Sequence, residues 1–189
     1  MNNLFSASST VLGWKRSSRL NNAQIPTSVL AWLVDPASLT QRVIAACNGT
    51  FTVDVISEHR GSPNLDECQA LNIQPGKIAR IREVRLLCND TAWVYARTII
   101  PDSSLTGPLR RLRLLGNKPL GAVLFADKTM RRGPLEIAAL TPHHPLYRHA
   151  LPSKSSRPQP IWGRRSVFYL SNKPLLVSEF FLPDIPAHP

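Results

Sequence analysis

The chain has 189 residues and carries 23 Lys+Arg against 12 Asp+Glu, a formal net charge of +11 with His neutral. That length suits one domain with a sizeable core, and 43% hydrophobic with 19% charged residues excludes a chain disordered by composition or a coiled coil. The longest apolar stretch, around 120–126, is far too short for a transmembrane helix.

Residues 1–25, rich in Ser, Asn and Arg, read as a flexible leader ahead of a single domain over 26–189. Ser28–Val34 reads as a short apolar helix broken at Asp35-Pro36. Ser38, with Gln41 three residues on, predicts the capped start of a second helix that stops at Asn48-Gly49. Phe51, Val53 and Val55 alternate with polar residues at strand spacing, and 57–77 reads as a polar connection. Ala79–Cys88 and Trp93–Ile100 are β-rich runs that predict a hairpin around Asn89–Ala92.

After Pro101, Leu105, Leu109 and Leu112 lie on one face of a helix predicted over Ser103–Leu115 and ended by Gly116. Pro119 opens a further short helix through Phe125. Leu135–Leu140 predicts a strand, and the five prolines of 141–161 a long surface loop. Arg165–Leu170 and Leu175–Leu182 close the chain as a second hairpin. Hairpins with inserted helices and no internal repeat imply an α+β fold on an antiparallel sheet.

Cys47, Cys68 and Cys88 are odd in number, widely spaced and in no CxxC arrangement, which argues for free thiols in a reducing compartment and against structural zinc. The N-terminus lacks the order of regions of a signal peptide, so the cytoplasm is expected. His143, His144 and His149 sit in a proline-bounded stretch without an acidic or Cys partner, which favours a loop over a metal site.

The excess positive charge is concentrated in the second half: residues 1–95 hold nine Lys+Arg and seven Asp+Glu, residues 96–189 fourteen and five. A nucleic-acid surface, an anionic lipid surface and a site for a small anion would each produce such an excess. The basic runs, such as Arg110-Arg111-Leu112-Arg113 and Arg164-Arg165, are short, and most of them read as a solvated basic face.

Position is more informative than composition. Residues two apart on a strand share a face, so Arg82 lies with Val84, Leu86 and Cys88, while Glu83 and Arg85 lie on the other side. On the last strand Glu179 shares a face with Leu175, Val177 and Phe181. A charge drawn into an apolar face is costly unless it is paired. Arg82 and Glu179 therefore pair with each other, stay wet at strand edges, or line a polar pocket, the arginine fork binding a carboxylate at about 1.5–3 kcal/mol per charged hydrogen bond and the glutamate a hydroxyl. Arg97, on the facing strand with Trp93 and Tyr95, could assist either arrangement. GxSxG, Walker A, GxGxxG after a strand, HExxH and Cys–His signatures are all missing.

Four stretches carry a resemblance. Arg82-Glu83-Val84 continuing to Trp93–Pro101, Ser104–Pro108, Leu115–Gly121, and Trp162–Ser166 with Lys173–Pro183, in this order, resemble the motifs of chorismate pyruvate-lyases. The resemblance implies an antiparallel sheet with helices covering an internal ligand site. It implies cleavage of chorismate to 4-hydroxybenzoate and pyruvate for ubiquinone biosynthesis, by a monomer using neither metal nor organic cofactor, without nucleic acid and without stable membrane insertion. Arg82 then matches the carboxylate-binding arginine and Glu179 the acidic residue at the ring hydroxyl, both catalytic and substrate-binding. Leu120 matches a backbone contact to the ligand, and Leu39 a further substrate contact from the second helix. The runner-up is a non-enzymatic effector-binding module of the same fold, and 25 residues before the first helix are few for a DNA-binding unit.

Overall fold

Alternating strands and tight turns produce a single antiparallel sheet in the computed structural model, which describes residues 12–19, 25–151 and 159–188. Its strands are β1 (Lys15–Arg16), β2 (Phe51–Gly61), β3 (Ala79–Cys88), β4 (Thr91–Pro101), β5 (Arg131–Arg132), β6 (Glu136–Leu140), β7 (Ile161–Leu170) and β8 (Lys173–Phe181). They are ordered β1-β6-β7-β8-β4-β3-β2, with β5 paired to β7 off this path. Helices α1 (Thr27–Val34), α2 (Leu39–Ala46), α3 (Leu65–Leu71), α4 (Leu120–Ala126) and α5 (Pro145–Ala150) cover it. The α+β antiparallel architecture is the expected one. None of the described helices is long and apolar enough to cross a membrane.

Both predicted hairpins form, on two-residue turns. Asn89-Asp90 and Ser171-Asn172 each take φ of 47° and 64°, the left-handed pair that matches strand twist. The first turn is therefore shorter than the expected Asn89–Ala92 loop.

Two layers of helix bury the two faces. On one, Trp32 and Leu33 of α1 and Leu39 and Val43 of α2 pack against Val84, Leu86, Val94 and Phe181. Beside them, Leu105, Leu109 and Leu112 meet Leu124, Phe168 and Leu175. The three leucines were expected on an α-helix; the segment Gly107–Leu114 is a 3₁₀ helix that buries Leu109 and Leu112, and Leu105 is buried ahead of it. On the other face, α5 places Leu146, Tyr147 and Ala150 against Tyr95, Leu140 and Phe180, while Leu71 of α3 packs with Ile81 and Ile99.

Several sequence expectations need correction. The polar connection 57–77 instead holds the second half of β2 and helix α3, whose start is fixed by the Asn64 N–H donating to Glu67 Oε2 at 2.8 Å. Part of the stretch read as a leader is docked: Lys15-Arg16 pairs with Ile137 and Glu136, and the Trp14 indole N–H donates to Asp66. The proline-rich 141–161 stretch contains α5, with His144 Nδ1 accepting the Leu146 N–H at its start; residues 152–158 lie outside the described residues. Ser38 does precede α2, but its hydroxyl makes no cap bond.

The three thiols are not all free. Cys47, just after α2, is joined to Cys88 at the end of β3, and Cys68 is buried and unpaired. Spacing of 41 residues conceals this pair in the sequence; the docking of α2 over the end of β3 brings it together. The thiol argument for a reducing compartment falls with it.

Candidate active site

Strand register assembles the site. Glu58, Arg82, Thr98, Val177 and Ser166 form one row across β2, β3, β4, β8 and β7, and Val84, Ala96, Glu179 and Arg164 form the row beside it. Side chains of these rows face α2 and α4 and enclose a cavity of about 560 Å³, counting its mouth. Arg82, Val84, Ala96, Thr98 and Glu179 lie in its floor; Leu39 and Thr40 of α2, with Leu120, Gly121 and Leu124 of α4, border it from above. The two helices approach so closely that a Cβ on Gly121 would stand 2.7 Å from Thr40 Oγ1. A larger residue there would displace the Thr40 hydroxyl.

All four residues singled out from the sequence, Arg82, Glu179, Leu120 and Leu39, border this one cavity. Arg82 and Glu179 do not pair with each other, because β4 lies between them and they occupy neighbouring rows. Two strand spacings and the two-residue offset between rows put their Cα atoms roughly 12 Å apart. Arg82 is 3% exposed. Its Nη1 donates to Glu58 Oε2 at 2.8 Å, and Nη2 to the carbonyls of Gly116 at 2.7 Å and Lys118 at 3.4 Å. Glu58 is shared with Arg80, which donates from Nε at 2.6 Å. Among the described residues Arg82 Nε takes no partner, so the fork retains donor capacity for a ligand.

Glu179 Oε2 accepts from Arg164 Nε at 2.8 Å. Arg164 is 1% exposed and is fixed by donating Nη1 to the carbonyls of Trp32 at 2.8 Å and Asp35 at 2.6 Å. The Asp35 side chain in turn accepts from the Ala37 N–H and from Arg42 Nε, and lies 2.8 Å from His188 Nε2. Burial would raise its carboxyl, but these bonds outweigh it and hold Asp35 below the usual range. The cavity wall is thus tied through Arg164 to the turn between α1 and α2.

Glu58 and Arg164 were missed in the sequence. Glu58 lay in the stretch read as connection, and Arg164 one residue before the predicted strand. Its pairing with Glu179 was findable in principle, since a hairpin centred on Ser171-Asn172 puts residues 164 and 179 directly opposite each other.

Arg97 does not assist the cavity; it points to the other face. Its Nε and Nη2 donate to the Glu67 carboxylate at 2.7 and 3.2 Å and its Nη1 to Glu83 Oε1 at 2.7 Å. Glu83 also accepts from Tyr95 Oη at 2.8 Å and Ser57 Oγ at 3.0 Å. Burial would raise Glu83, but the Tyr95 and Arg97 hydrogen bonds and the Arg97 charge prevail and lower it. Burial first, then the Glu83 charge, push the Tyr95 phenol up, so it stays a donor. Arg85 shares that face and donates to the carbonyls of His149 and Ala150. Among the described residues no group of three or more His, Cys, Asp or Glu is arranged to hold a metal.

A helix-covered antiparallel sheet enclosing an apolar cavity with charged groups in its floor defines a small-molecule-binding α+β domain. The family of chorismate lyases matches residues 8–188. The chain belongs to that family and is a lyase. A protein of Methylococcus capsulatus named probable chorismate pyruvate-lyase is 40% identical over 159 residues, which cover 84% of this chain and 97% of that protein. One of the same name from Nitrosomonas europaea is 38% identical over 160 residues, covering 85% and 89%. Among solved structures, the ligand-binding domain of a GntR-family transcriptional regulator from Bordetella bronchiseptica shares the fold with TM-score 0.54 and 16% identity, covering 75% of this chain and 90% of that one. The C-terminal domain of a histidine utilization repressor from Pseudomonas syringae pv. tomato does so at TM-score 0.53 and 10% identity, covering 71% and 92%.

Proposed function

We propose that the protein is a chorismate pyruvate-lyase, releasing pyruvate from chorismate and leaving 4-hydroxybenzoate for ubiquinone biosynthesis. The observation that carries this reading is the pair Arg82 and Glu179, set apart by one strand in the floor of a single cavity, each anchored by a partner that leaves it capacity for a ligand. Arg82 takes the ring carboxylate. Glu179 meets the hydroxyl in the para position, with the small Ala96 side chain in the same row giving the ring room. Leu39 and Leu120, first residues of α2 and α4, present backbone N–H groups that have no partner within their helices.

The chemistry is an elimination that balances by itself. The ether bond between the ring and the enolpyruvyl oxygen breaks, the ring carbon bearing the hydroxyl loses its proton and the ring becomes aromatic, and the departing enolate takes up one proton to become pyruvate. Aromatisation supplies the driving force. The protein's part is to hold a dianion in the reactive geometry and to place Glu179 where charge shifts on the hydroxyl-bearing carbon. The excess of basic residues in the second half of the chain steers that dianion toward the site, an effect salt would screen. A doubly charged metabolite does not cross a bilayer unaided, which favours action in the cytoplasm, and we expect a monomer.

Chorismate added to the purified protein should disappear with stoichiometric formation of 4-hydroxybenzoate and pyruvate. Tight binding of 4-hydroxybenzoate with no turnover of chorismate would instead place the chain with the non-enzymatic effector domains that share its fold.

A further inference from the structure

Beside the cavity lies an arginine that makes no direct ion pair among the described residues. Arg132 ends the short strand β5, opposite Phe168 of β7. Its guanidinium stands over the Phe168 ring, 5.3 Å from the centroid, and Phe168 is itself part of the cavity lining. Its Nε donates to Ser166 Oγ at 3.1 Å, and its Nη1 to the Pro36 carbonyl at 3.0 Å. Among the described residues no carboxylate is within ion-pair distance of Arg132 and its Nη2 has no hydrogen-bond partner. Burial, then the charge of nearby Arg164, lower its affinity for its proton, while Glu179 and Asp35 act in the opposite direction.

A half-buried cation beside another cation, with no carboxylate in direct contact, is costly unless an anion reaches it. Elsewhere in this protein such arginines are met by carboxylates of the chain: Arg97 by Glu67 and Glu83, Arg165 by Asp66 and Glu136, Arg164 by Glu179. Arg132 is placed on the Glu179 side of the cavity, across β8 and β4 from Arg82. A substrate with its ring carboxylate on Arg82 and its hydroxyl at Glu179 carries its three-carbon side chain on the carbon next to the hydroxyl, hence at this end.

We propose that Arg132 receives the second carboxylate of the substrate, that of the enolpyruvyl side chain, so that the site has one arginine for each carboxylate. The inference rests on the lyase reading above. Arg82 then serves substrate and aromatic product alike, whereas Arg132 serves the substrate and the departing three-carbon acid. The aromatic product lacks this contact. Arg132 is thus the residue by which the site tells its substrate from its product.

The test compares Arg132→Gln with the wild type, measuring KM and kcat for chorismate and, by calorimetry, the Kd of 4-hydroxybenzoate. Loss of a charge-assisted hydrogen-bond pair should raise KM about 10- to 100-fold, leave the product Kd within about 2-fold, and be partly restored in Arg132→Lys. An unchanged KM, or equal weakening of substrate and product, overturns the proposal. A second measurement needs no variant: the wild type should bind 3-carboxymethoxy-4-hydroxybenzoate, a stable dianion, more tightly than 4-hydroxybenzoate, and equal or weaker binding overturns the proposal. A wild type that binds the dianion preferentially but leaves chorismate intact would reject the lyase reading and keep the second anion site.

Discussion

The two faces of the sheet both bury charge, and they bury it differently. On the face under α3 and α5, Arg97 is held between Glu67 and Glu83, Glu83 also accepts from Tyr95 and Ser57, and Arg165 lies between Asp66 and Glu136. That network is closed: Arg97 and Arg165 each have two carboxylates from the chain. On the face under α2 and α4, Arg82 rests on one carboxylate and two carbonyls, Glu179 on one arginine, and Arg132 on a hydroxyl and a carbonyl. Buried charge therefore does not by itself mark a site. What marks it is hydrogen-bonding capacity that the chain leaves unfilled.

The contrast can be broken by substitution. Arg97→Met should cost about 3–5 kcal/mol of stability in urea unfolding, because Glu67 and Glu83 would remain buried without their cation. The folded variant should still turn over chorismate at close to the wild-type rate. Next in size, Arg82→Ala or Glu179→Ala should lower kcat/KM about 100- to 1,000-fold, with a smaller shift in the unfolding midpoint than Arg97→Met gives. If the substitutions on the two faces gave the same pattern, the distinction between closed and open networks would be lost.

Two smaller effects sharpen it. Reduction of Cys47–Cys88, or Cys47→Ser with Cys88→Ser, should cost about 2–4 kcal/mol, read as a lower unfolding midpoint with dithiothreitol. The closed face should also respond to acid. Glu83 has its carboxyl lowered in the folded state, so it adds stability above the pH at which an unfolded glutamate titrates, near 4.5, and that stability is lost as pH falls through the folded value. Thermal midpoints should drop on acidification below that point, and Tyr95→Phe should flatten the dependence by removing one of the bonds that lowers Glu83.

Strand periodicity made half of the site legible. A period of two leaves little freedom, so Arg82 and Glu179 could be placed on apolar faces from the residues alone, and Arg85 on the opposite one. The partner of Glu179 followed from the second hairpin's turn, but the partner of Arg82 could not be found this way. Glu58 sits in Ser57-Glu58-His59-Arg60, where an edge strand with a register shift between Val55 and Ser57 has lost its apolar alternation. The face of Arg97 depended on hairpin register, which a turn two residues shorter than expected and an irregularity between Leu86 and Leu87 together decide. Helix α3 was signalled by Asn64 and Glu67, a capping pair set in polar sequence without a long apolar stripe. Arg132 carried no local signal: its meaning comes from strands β5 and β7 meeting across more than thirty residues.

The Cys47–Cys88 bond has a mechanical consequence. It staples the far end of α2 to the sheet, while the near end is gripped at Asp35 by Arg42, Ala37 and His188, with Arg164 on its carbonyl. Across the cavity, α4 follows the positive-φ Gly116 and is moored at its far end by one exposed ion pair, Asp127 with Arg111. Of the two roof helices, one is thus tied covalently to the sheet and the other is held by Leu124 packing and this ion pair, and reducing the disulfide would remove that difference.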